Sequence, residues 1–191
     1  MAHQFTVSYI ADSIAIFRQY KGVAEKAFGQ LSEAQLTRSL DVESNSVAQI
    51  VKHMSGNMRS RWTDFLTTDG EKPNRNRDSE FIKPPESREE LLRMWEQGWA
   101  ILFHALEPLT EADMGRTITV RGEAHSVMQA IQRQVAHYAM HVGQIVFLAK
   151  HPILMENRSQ RLSCSSPVCS STRRVPPFSG VSVHVTFDRG G

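Results

Sequence analysis

Thiols are almost absent: the 191-residue chain has two cysteines, Cys164 and Cys169, both within its last 40 residues. A disulfide-stapled scaffold is thereby excluded. Four residues separate the pair, which fits neither the two-residue redox spacing nor a paired zinc knuckle, so the rest of the chain has no thiolate ligand to offer. Long apolar runs are missing as well. None approaches the roughly 18–20 residues of a bilayer crossing, and Met1–Tyr20, with Asp12 and Arg18 inside it, lacks a signal-peptide pattern. A soluble, cytoplasmic protein without a membrane role is expected. An excess of one charge is the third absence. The net charge is +2, yet residues 1–151 come to −1, because residues 152–191 hold five Arg against Glu156 and Asp188. The sequence pI of about 8.7 therefore belongs to the tail and is no nucleic-acid footprint.

Helical periodicity fills most of the remainder. Apolar residues recur at three to four positions over Val7–Phe28, Ser46–Leu66, Ser87–Leu106 and Ser126–Lys150. Four helices of this length predict an all-α four-helix bundle over residues 1–151. Ser46-Val-Ala-Gln49 and Ser126-Val-Met-Gln129 both read as capping boxes, 80 residues apart. Leu31-Ser-Glu-Ala-Gln-Leu36 and Leu109-Thr-Glu-Ala-Asp-Met114 form a second matched pair, 78 apart, so the bundle reads as a duplicated helix pair. Thr67–Glu86, with Asp69-Gly70, Pro73 and Pro84-Pro85, reads as a long crossover loop from the second helix to the third rather than as a helix. Within it Arg75, Arg77 and Asp78 either tie the loop down by ion pairs or serve a ligand. Thr117–Val120, followed by Arg121-Gly122-Glu123, predicts a short hairpin before the fourth helix. Residues 152–191 are serine-rich and broken by Pro167, Pro176 and Pro177, which predicts an irregular, poorly ordered tail.

Chemistry concentrates in three of the eight histidines. His137 and His141 stand four apart, on one face of the fourth helix and about 6 Å apart along its axis. The second helix offers His53 on a row with Asn57 and Arg61, toward the flank where neighbouring helices converge. The H-E-x-x-H zinc-protease motif is absent, since Tyr138, Ala139 and Met140 separate the pair. On spacing alone, these residues are either one three-nitrogen metal site or polar side chains at the core edge, bonded to carbonyls or water. His3, His104, His125 and His184 have no partner at ligand spacing, and His151 sits at a helix end.

Asn45-Ser-Val-Ala-Gln-Ile-Val-Lys-His53-Met54, with His137-Tyr-Ala-Met-His141-Val-Gly-Gln144 further on, resembles the DinB-like superfamily, which includes the YfiT-like metal-dependent hydrolases and thiol transferases. The resemblance covers about residues 7–151. Gly56–Trp62 and the Asp69–Asp78 loop resemble an uncharacterised branch, whose members end on an S-I-P-R-G phrase that residues 152–191 lack. The resemblance implies a four-helix bundle in which His53, His137 and His141 bind a divalent metal, zinc or nickel foremost. It further implies a thiol transferase acting in stress or detoxification, whose partners are a low-molecular-weight thiol and an electrophile. Asn57 and Arg61 are then candidates for steering the ligand and holding a substrate carboxylate. Two other readings stand beside it: a metal hydrolase with Glu123 or Asp64 as base, and a non-catalytic, metal-stabilised bundle acting as a homodimer or binding module.

Overall fold

The computed structural model describes residues 7–85 and 87–151; the expected tail, both cysteines, His3 and His184 lie outside them. Every long helix starts where a hydroxyl can accept from a free backbone amide. Ser8 caps α1 (Tyr9–Phe28) and Ser87 caps α5 (Arg88–Leu106). Ser46 and Ser126 cap α3 (Val47–Trp62) and α6 (Val127–Lys150) through the two expected boxes. In each box the Gln side chain returns a 2.8 Å bond to the serine amide. The second matched phrase also folds alike: Ser32 and Gln35 close a box on the one-turn α2 (Glu33–Leu36), and Thr110 and Asp113 do so on a 3-10 turn at Glu111–Asp113.

Apolar stripes on the four long helices meet in one core. Phe17, Phe28, Met54, Met58, Trp95, Trp99, Tyr138 and Ile145 are buried there. Phe28 meets Trp95 edge-on at 5.5 Å, and Phe17 lies 5.7 Å from Tyr138. Helix directions follow from which ends touch. Tyr9 Oη donates to the Met128 carbonyl, so α1 and α6 start together and run parallel. Gly98 lies against Ser55 and Met58, while Ile101 and Ala105 face Trp62 across a groove, so α3 and α5 also run the same way. These are the two principal helix pairs, and α3 touches α6 less extensively. Exchanging α1 with α5 and α3 with α6 converts one pair into the other, which is the packing a duplicated helix pair requires.

Two parallel helices joined in sequence need a connection as long as the bundle, about 24 Å for a 16-residue helix. The crossover supplies it. α3 stops at Trp62, four residues before the expected Leu66, because Asp64 takes a left-handed conformation (φ 48°) and its carbonyl accepts from Thr67 and Thr68. Phe65 stays buried all the same, which is why the apolar period runs past the helix. The crossover also holds one helical turn that was not expected, α4 (Ser79–Ile82), where the Asn76 side chain accepts from the Ser79 amide.

The hairpin forms as expected, with β1 (Thr117–Val120) antiparallel to β2 (Glu123–Ser126) and Val120 opposite Glu123. Its two turn residues, Arg121 (φ 57°) and Gly122 (φ 77°), both take positive φ, as the tightest hairpin turn requires. Asp69 from the crossover accepts from both turn amides, at 2.8 and 2.7 Å, and the Gly70 amide donates to the Thr119 carbonyl. No helix among the described residues is long and apolar enough to cross a membrane.

Candidate metal centre

His53, His137 and His141 meet between α3 and α6. One nitrogen from each lies within 4.8 Å of the others. The converging atoms are the three Nε2: 3.4 Å separates those of His53 and His137, and 3.0 Å those of His137 and His141. Each opposite nitrogen, Nδ1, faces an oxygen. His53 Nδ1 meets Glu80 Oε2 at 2.8 Å, His137 Nδ1 meets Gln134 Oε1 at 3.3 Å, and His141 Nδ1 meets Gln144 Oε1 at 2.8 Å. An oxygen acceptor fixes the proton on Nδ1, so the lone pair of each Nε2 is directed at the common centre.

Lone pairs 3.0–3.4 Å apart repel unless a proton or a cation lies between them. The proton is disfavoured. Burial foremost, then the neighbouring rings and the Arg75 and Arg61 charges, push His137 down to about 3. Burial and His53, with Arg77 further off, push His141 down to about 4. A tetrahedral ion with metal–nitrogen bonds of about 2.0–2.1 Å holds its ligands about 3.3 Å apart. The first separation matches that value and the second is a few tenths of an ångström short. The donor set therefore fits a divalent metal with three neutral nitrogens.

His53 is held from outside by the crossover. Glu80, buried, accepts from His53 and is clamped by Arg75, whose Nε and Nη2 lie 2.9 and 3.0 Å from its two oxygens. Burial alone would raise the Glu80 carboxyl, but the bonds from His53 and Arg75 and the Arg75 charge outweigh it and hold it below the usual range. Phe81, the next residue, stacks on the His53 ring at 4.6 Å. Gly56, one turn beyond Lys52 on α3, makes room: a Cβ there would stand 2.2 Å from Glu80 Oε1. Neither Glu80 nor Gly56 was legible as a site residue, because a four-residue turn has no period and the glycine lies inside a helix.

Beside the rings opens a cavity of about 170 Å³ lined by His53, Asn57, Arg61, Arg75, Arg77, Arg121, Arg133, Gln134 and His137. Both ligand-steering candidates face it, and both also have structural bonds. Asn57 Oδ1 accepts from Tyr138 Oη (3.0 Å), which itself accepts from Trp62 Nε1 (3.2 Å). Arg61 Nη1 donates to the Gly70 carbonyl and pairs with Glu71 at 3.0 Å. Arg75 is buried and paired, tying down the crossover, while Arg77 is exposed at the cavity. The carboxylates considered as a base are elsewhere. Asp64 lines a separate, largely apolar groove of about 720 Å³, and Glu123 is exposed on β2 near His125. A shift of 80 residues, the spacing of the cap serines, carries His53, Asn57 and Arg61 onto Arg133, His137 and His141. The site is thus assembled from matching rows of α3 and α6.

A model of the family described as "Protein of unknown function (DUF1572)" matches residues 4–166. No curated protein matches the chain. Six solved chains do. Among them is YfiT from Bacillus subtilis, described as a probable metal-dependent hydrolase with an unusual four-helix bundle topology. It is 18% identical, with a TM-score of 0.56, over 78% of this chain and 92% of that one. At that identity the likeness is one of fold, and it bears out the expected four-helix bundle.

Proposed function

The chain belongs to the DUF1572 family, and from that premise we propose that it is a metal-dependent transferase that presents a small thiol to an electrophile in stress or detoxification. The observation that carries the metal reading is the convergence of three Nε2 atoms whose Nδ1 partners are all pinned. Three protein ligands leave a four-coordinate ion one open position, which is the arrangement of sites that do chemistry rather than of structural zinc. A divalent ion held by His53, His137 and His141, zinc or nickel, would supply Lewis acidity, the chemistry that makes a thiol or water nucleophilic at neutral pH.

The protein's part is to hold and to exclude. Glu80, Gln134 and Gln144 keep the rings in the ligating tautomer. The Asn57 amide NH₂, unpartnered among the described residues, is the donor it can offer an occupant of the cavity. Glu80 is the carboxylate at the histidines, and it is taken by His53 and Arg75. A thiol needs no strong base once its pKa is lowered, which favours it over water as the nucleophile. A hydrolase is the second reading, supported by the likeness to YfiT and its description.

Elemental analysis of protein purified without a chelating tag tests the first step, with one divalent ion per chain expected. Titrating low-molecular-weight thiols into cobalt-substituted protein tests the second. A sulfur-to-metal charge-transfer band supports the transferase. An unchanged spectrum together with ester turnover transfers the assignment to the hydrolase, and an absence of metal overturns both.

A further inference from the structure

The cavity beside the histidines contains more positive charge than the fold uses. Five guanidinium groups line it, from Arg61, Arg75, Arg77, Arg121 and Arg133. Three of them share a carboxylate: Glu71 lies 3.0 Å from Arg61, 3.3 Å from Arg75 and 3.1 Å from Arg121. Those three charges hold it below the usual carboxylate range although burial pulls the other way. Glu80 neutralises Arg75 further. The Arg77 and Arg133 side chains have no ion pair or hydrogen bond among the described residues, and they come from different elements, the crossover and α6. Even with Asp69, which lies at the Arg121 amide and feels the Arg61 charge, three carboxylates stand against five guanidinium groups, and an ion at the histidines would add to the excess.

Like charges gathered around one cavity oppose folding unless something anionic enters. A planar guanidinium with unused donors is the side chain best shaped for a carboxylate or phosphate. We propose that this cavity is an anion subsite: it takes a small carboxylate- or phosphate-bearing substrate, whose anionic group is gripped by Arg77 and Arg133 while its other end faces the three histidines. The substrate's orientation rests on the metal reading above; the anion site itself does not. The volume of about 170 Å³ is well under the ~300 Å³ where drug-sized pockets begin. The occupant is accordingly a compact metabolite or the charged head of a larger one.

Isothermal titration of the full chain, metal-free and zinc-loaded, with inorganic phosphate, succinate and neutral succinamide, tests this. One or both anions bind and succinamide does not. Whichever anion binds more tightly identifies the phosphate or the carboxylate as the natural group. Arg77→Gln and Arg133→Gln each weaken binding about tenfold, the size of one lost charge-assisted bond. Both side chains are exposed and only repel their neighbours when the cavity is empty, so in the absence of anion each variant unfolds no more easily than the parent. The proposal is overturned if neither anion binds at millimolar concentration, or if the double variant binds as tightly as the parent. Zinc content measured on the same samples separates the two claims. Arginine-dependent anion binding without zinc keeps the subsite and removes the metal centre; zinc binding with an indifferent double variant does the reverse.

Discussion

At the scale of single residues, the partner that holds a ring matters nearly as much as the ring. Glu80→Gln keeps the shape of the clamp and removes its charge, and such partners typically account for 10–100-fold in metal affinity. Zinc affinity should fall by about that factor in a chelator-competition titration. Gly56→Ala should lower it as well, because the new methyl occupies the place of the Glu80 carboxylate. Combining the two changes should add little, since both act through the same contact. Acid sensitivity has a definite sign. The unfolded chain protonates its histidines near pH 6.5, whereas folded His137 and His141 do so only at about 3 and about 4. Between those limits the unfolded state binds more protons. The contribution of these two rings is full above about pH 6.5 and declines as pH falls toward 3–4. Denaturant midpoints of metal-free protein at pH 7.5 and 5 should differ in that direction; equal midpoints would count against buried neutral rings.

Among the elements, the helices and the course of the crossover were legible, and the contacts the crossover makes were not. Period, cap serines and matched phrases located all four long helices, because an amphipathic helix writes its buried face into the sequence. His53, His137 and His141 could be paired for the same reason: a row at four-residue spacing is visible before folding. Arg75, Glu71, Glu80 and Phe81 act through tertiary contacts to α3 and the hairpin, and a polar loop sequence carries no period that reveals which side it turns inward. Asp69 is the residue that ties crossover to hairpin. Asp69→Ala removes two bonds to the turn amides and should cost about 1–2 kcal/mol in chemical denaturation, with a further loss of anion binding as Arg121 is freed. Ser126→Ala should cost about 1 kcal/mol through α6 alone, leaving the hairpin turn in place.

For the whole molecule, the candidate centre joins one principal helix pair to the other, across a seam less extensive than either. α1 packs on α6 and α3 on α5, while the histidines bridge α3 and α6. A metal there ties one principal pair to the other and binds only the folded chain. Zinc at 100 times its dissociation constant should add about 2.7 kcal/mol of stability, seen as a higher thermal midpoint that a chelator reverses. His141→Gln should abolish the zinc-dependent rise. One wall of the cavity is made by a connecting segment rather than by a helix: Arg75, Arg77 and the Glu80 clamp all come from residues 63–87. Grafting that stretch from a relative would exchange what is admitted to the three rings without replacing any of them, so new substrates can be acquired on this bundle by editing a linker while the framework stays as it is.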